Sequence, residues 1–347
     1  MRKLILCLAL LMVLCMPVSA LEITAPEVPA AGAQIMPQQT QSFADAVLEI
    51  LGDAVSLLRP DLKEAAVSCF GVLAVVVALS VLTSFPGGHG KITEFVGVLV
   101  VGGLLLRPAD SLISLAADTV EQLSEYGKLL LPVMTAALAA QGGVTSSAAL
   151  YTGTAVFDAL LSGLISGALV PVIYLYLALA LGCCALEDSA LQKMRDGIKG
   201  AATWCLKTVL YVYTGYITIT GAVSGTADAG ALKAAKLTIS GVVPVIGGIL
   251  SDASEAVLVS AGTVKNAAGI YGMLAILAVW IGPFLRIGSH YLILKALSTI
   301  CSVFEMKSVT RLVEDFSAAM GLLLAMTGAV CLMLMISTIC FMKGVGG

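Results

Sequence analysis

Ala65 to Phe85 reads AAVSCFGVLAVVVALSVLTSF, an apolar run without one charged residue. A helix needs about 20 such residues to cross the hydrocarbon of a bilayer. Further apolar runs cover about Ile92–Leu106, Ala202–Val223 and Ala319–Phe341. The whole chain agrees: 59% of residues are hydrophobic, 12% are charged, and the mean hydropathy is +1.01. A soluble domain carries about 25% charged residues, so this chain lacks the polar surface to cover its apolar groups, and lipid must solvate much of it. Glycine is abundant at 35 residues and aromatics make up 6%, a balance that suits close packing of membrane helices through small residues. The net charge of −3 argues against a broad basic surface for nucleic acid.

The sequence divides into five regions. Residues 1–20, MRKLILCLALLMVLCMPVSA, read as a cleavable signal peptide: Arg2 and Lys3 precede an apolar stretch, and Val18-Ser19-Ala20 is a small-residue cleavage site. The alternative is an uncleaved anchor. Residues 21–64 are an extracytoplasmic linker rich in Pro, Ala and Gln, then an amphipathic helix from Ser42 to Glu64 that Arg59-Pro60 is expected to end. Residues 65–128 hold a first transmembrane pair joined by Pro86–Lys91, then an acidic amphipathic helix over Asp110–Tyr126. Both amphipathic helices are expected to be docking surfaces outside the membrane.

Residues 129–240 and 241–347 read as two copies of one membrane unit. Leu131-Pro132-Val133 opens a short segment ending at Gln141-Gly142-Gly143; Val243-Pro244-Val245 opens another that contains Gly247-Gly248. Pro132 and Pro171 lie 39 residues apart, as do Pro244 and Pro283. Each copy continues to a basic stretch (Lys193, Arg195, Lys199; Lys307, Arg311) and closes on a long span. Chance echoes in a chain punctuated by Gly and Pro are the alternative. The expected class is all-α and polytopic, with about seven to ten apolar segments, some of them short broken or re-entrant helices. Positive residues favour the cytoplasm, which puts both basic stretches inside and Gly347 outside. The Pro–Gly hairpins at Pro132, Gly142, Gly143 and at Pro244, Gly247, Gly248 either border a hydrated path or kink packed helices.

Asp158 lies within an apolar helix and is the candidate intramembrane charge; Lys207, Lys265 and Arg286 snorkel or share that role. No H-E-x-x-H, G-x-S-x-G, dinucleotide fingerprint or C-x-x-C occurs, and there are two histidines. Catalysis, a cofactor and a metal site are therefore not expected, and the cysteines read as buried, inert thiols.

Two stretches carry a resemblance: LLPVMTAALAAQGGVTSSAALY (Leu130–Tyr151) and SGVVPVIGGILSDASEAVLVSAGTVKNAAGIYG (Ser240–Gly272). With the order of signal and final span, they resemble the stage III sporulation protein AE family over residues 45–345. The resemblance implies an integral protein of the mother-cell membrane around the forespore. It implies a non-enzymatic part in a cell-to-cell channel or export complex needed for endospore formation. Its partners would be other stage III operon proteins and a forespore membrane protein, besides membrane lipid. A stand-alone secondary transporter or permease is the competing reading.

Overall fold

The computed structural model describes residues 26–37, 42–83, 90–242 and 247–343; at 64, 83, 90–91, 221–227, 229–242 and 247–261 it describes the backbone alone. The signal segment 1–20, most of the turn at 86–91, Pro244 and Gly347 lie outside the described residues. Among the described residues the fold is all helical. A short α1 (Ala30–Ala33) precedes α2 (Phe43–Thr83), α3 (Gly90–Ala140) and α4 (Val144–Leu164). A π turn at Ile165–Leu169 leads into α5 (Val170–Leu186), followed by α6 (Ser189–Val242), α7 (Gly247–Ser302) and α8 (Lys307–Lys343).

Five of the described stretches are long and apolar enough to cross a membrane: Phe43–Leu82, Ile92–Ala140, Val144–Leu186, Gly262–Ser302 and Lys307–Lys343. Most of the expected seven to ten shorter segments fuse into these because the prolines do not break the backbone, while the expected span Ala202–Val223 lies in α6, which is not among the five. Pro60 lies inside α2, Pro108 and Pro132 inside α3, and Pro283 inside α7. The helix over Ser42–Glu64 therefore does not end at Arg59-Pro60, and Leu129–Ala140 is the last part of α3 rather than a short re-entrant piece. A proline costs one backbone hydrogen bond and crowds the carbonyl four residues before it; inside a packed apolar bundle, small local adjustments absorb this. Pro171 shows one such adjustment. The wider π turn ends just before it, so α4 and α5 run on as one rod of 43 residues, about 65 Å at 1.5 Å per residue.

α8 is the central helix: 61% of its most apolar window is buried, against 22% in the peripheral α2. Phe316, Met320, Leu323, Met326, Val330, Met333, Leu334 and Phe341 line it, and Tyr126, Tyr176 and Tyr213 reach the same core from α3, α5 and α6. α2 exposes Val67, Phe70, Val81 and Leu82, as a lipid-facing helix should.

The two amphipathic helices pack part of their apolar surface against this chain itself. In α2, Ala46, Ile50 and Ala54 meet Ile35 and α7 residues Leu274, Ala278 and Ile281. In α3, Leu112, Ile113, Ala116, Val120 and Leu123 are buried in the main core while Asp110, Asp118, Glu121 and Glu125 stay exposed. The α3 stripe is therefore covered by this chain, whereas Phe43, Leu48, Leu51, Val55 and Leu57 of α2 stay exposed.

Candidate functional site

Both ends of the bundle are closed by polar contacts between distant helices. At the first end, α3 stops in a Schellman cap. The Gly143 N–H donates to Leu138 O (3.1 Å), the Gly142 N–H donates to Ala139 O (2.9 Å), and Gly142 sits at φ 89°. Only glycine takes that conformation without strain. The sequence hairpin is thus a turn at Gly142-Gly143, but Pro132 stands nearly three helical turns earlier and exposed. The turn's amides are satisfied within it, so they do not call for a hydrated path. Gly247 and Gly248 open α7, and Pro244 lies outside the described residues.

Asp228 of α6 then caps α4. Its Oδ1 accepts from the Thr145 N–H (3.1 Å) and its Oδ2 from the Ser146 N–H (2.7 Å). Those are two of the unpaired amides of a helix start, where negative charge is favoured. Burial opposes the charge, yet the hydrogen bonds from Ser146 and Thr145 together outweigh it and hold the Asp228 carboxyl below the usual carboxylate range.

Asp158 lies on α4 about 22 Å along the axis from Gly143, so the structure does not join it to the glycine turn. It is 2% exposed. Its Oδ2 accepts from Ser124 Oγ at 2.6 Å, and its Oδ1 has no hydrogen-bond partner. A second buried polar link sits nearby, where the Thr154 and Ser337 hydroxyls are 2.7 Å apart. Of the other intramembrane charges, Lys265 is buried, Lys207 is exposed, and Arg286 pairs with Asp61 at 3.5 Å.

At the opposite end, two glutamates take the left-handed region, Glu187 at the end of α5 (φ 53°) and Glu305 in the turn between α7 and α8 (φ 57°). Such a residue costs about 1–2 kcal/mol relative to glycine. Both glutamates line one cleft of about 730 Å³, together with Gln192, Lys307, Arg311 and Glu314. The two basic stretches named from sequence therefore come together at one end. Glu94 at the start of α3 caps α8, its Oε1 accepting from the Ser308 N–H at 2.9 Å.

Behind this cleft lies a buried ion pair. Arg195 of α6 donates from Nη1 to Asp315 Oδ2 of α8 at 2.5 Å, and Tyr176 of α5 donates to Asp315 Oδ1 at 3.0 Å. The Arg195 and Asp315 side chains are 8% and 11% exposed, so each neutralises a charge that would be costly alone. Sequence reasoning used Arg195 only as a topology marker and passed over Asp315, Asp228 and Glu94.

Comparison with known proteins decides the family. Residues 33–346 match the family described as Stage III sporulation protein AE. The chain belongs to that family. The Stage III sporulation protein AE of Bacillus subtilis (strain 168) is 24% identical over 248 residues. That match covers 71% of this chain and 62% of the relative's length. No solved structure matches. The two resembling stretches fall inside the family match, and the first of them contains the Schellman turn and the capped start of α4.

Proposed function

We propose that this chain is a polytopic, non-enzymatic subunit of a mother-cell-to-forespore channel or export complex, acting in endospore formation from the mother-cell membrane around the forespore. The observation that carries the proposal is membership of the stage III sporulation protein AE family over residues 33–346. Five long apolar helices support a membrane subunit. The cross-helix caps and the Arg195–Asp315 pair support a rigid scaffold. Its partners are other stage III operon products and a forespore membrane protein.

The test is affinity isolation of the tagged chain from sporulating cells in mild detergent. The other stage III operon products should come with it, and vesicles holding the purified chain alone should move no solute. Isolation of the chain by itself, together with solute movement in those vesicles, would establish the stand-alone transporter instead.

A further inference from the structure

Three side chains of metal-ligating chemistry meet beside the cleft, although the sequence carries no metal motif. Cys183 and Cys184 near the end of α5 and Asp315 of α8 are all buried, and one ligand atom from each lies within 4.8 Å of the others. Neighbouring residues on a helix point about 100° apart, so both sulfurs can serve one ion only from a position between helices, where Asp315 arrives. The group is accessible, because both cysteines also line the cleft of about 730 Å³. Thr310 lines it too, and its Oγ1 is buried without a hydrogen-bond partner.

The centre of the group already attracts a cation. Arg195 Nη1 reaches Cys183 Sγ at 3.6 Å as well as Asp315 Oδ2 at 2.5 Å. Arg195 also has a second carboxylate: Asp196 Oδ1 accepts from its Nε at 3.0 Å and its Nη2 at 2.9 Å. It can therefore release Asp315 and keep a charge partner.

We propose that Cys183, Cys184 and Asp315 bind a thiophilic divalent cation of the Zn²⁺ class, with Arg195 holding the place when no ion is bound. Zinc takes thiolate sulfur at about 2.3 Å and carboxylate oxygen at about 2.0–2.2 Å in a tetrahedron, which puts two sulfurs roughly 3.8 Å apart. That separation fits the observed cluster with small side-chain shifts. Charge balances as well. Two thiolates and a carboxylate carry three negative charges, the ion two positive and Arg195 one, so the filled site is as neutral as the empty one. The two thiol protons leave through the cleft, and the fourth position opens toward Thr310 and water. Thiolate ligands favour zinc over magnesium or calcium, which prefer oxygen. Filling the site would also exchange the direct link between α6 and α8 for a second one between α5 and α8, beside the Tyr176–Asp315 hydrogen bond.

The full-length chain, reduced, purified in detergent and stripped with a chelator, is titrated with Co²⁺ as a spectroscopic substitute for Zn²⁺. One equivalent should produce a thiolate-to-cobalt charge-transfer band that Zn²⁺ then abolishes. Cys183→Ser with Cys184→Ser should remove the band, Asp315→Asn should weaken affinity by about tenfold or more, and Cys301→Ser should change nothing. X-ray absorption of the Zn²⁺-loaded natural chain needs no variant and should show two sulfur neighbours. Absence of the band in the natural chain, its survival in the double serine variant, or a zinc shell without sulfur would each overturn the site. None of these results depends on the sporulation role.

Discussion

Arg195 and Asp315, 120 positions apart in sequence, meet at 2.5 Å and tie α6 to α8. Both side chains are almost wholly buried, so removing Arg195 leaves Asp315 a buried carboxylate without its ion-pair partner. Arg195→Ala should destabilise the protein by about 3–5 kcal/mol, whereas Arg195→Met combined with Asp315→Leu should cost much less. Denaturant unfolding in detergent measures both. Equal losses in the single and double variants would show that the two residues do not act as a pair.

Asp228→Ala should weaken the cap on α4 by about 0.5–2 kcal/mol. Because the folded-state pKa is depressed, the charged cap contributes fully above the ordinary aspartate value of about 3.9. Its contribution disappears as pH falls through the lower folded value. The natural chain should therefore lose stability on acidification through that window more steeply than Asp228→Asn. Parallel pH curves would count against the cap.

Two glycines should tolerate side chains badly, for different reasons. Gly142→Leu must hold φ 89°, a strain of about 1–2 kcal/mol. At Gly153, a Cβ would run into the Tyr216 ring, whose hydroxyl donates to Ala149 O at 3.0 Å. Gly153→Val should cost about 1–3 kcal/mol through overpacking. Gly163 faces open space, and Gly163→Ala should be neutral or slightly stabilising. A ranking with Gly163→Ala as the worst of the three would contradict the packing described.

Gln192 and Lys307 line the same cleft, so single cysteines at these positions, on a cysteine-free background, must label from one side of the membrane. The positive residues of the two stretches, Lys193, Arg195, Lys199, Lys307 and Arg311, make the cytoplasm the expected side. An impermeant thiol reagent added to intact cells should reach neither until the membrane is opened. Labelling of one but not the other from outside would break the shared-end geometry.

The membrane character was legible in runs such as Ala65–Phe85, and the basic stretches around Lys193, Arg195, Lys307 and Arg311, paired from sequence, come together at one end of the bundle. The number of helices was not, because Pro60 and Pro132 read locally as breaks while the helix runs on through both. The glycine turn was visible, but its nature as a Schellman cap depends on Gly142 and Gly143 reaching back to Ala139 and Leu138. Asp158 stood out because it interrupts an apolar run. Asp315 did not, since it follows Glu314 at the polar edge of α8. Asp228 was equally hidden, with its partners Thr145 and Ser146 more than 80 positions away.

The most direct test of the central claim is the count of heat-resistant spores from a strain lacking this chain, measured beside its vegetative growth. The proposed subunit of a sporulation complex predicts a fall of several orders of magnitude in spores with unchanged growth, restored by the natural chain supplied in trans. Spore counts equal to those of the parent strain would contradict the account.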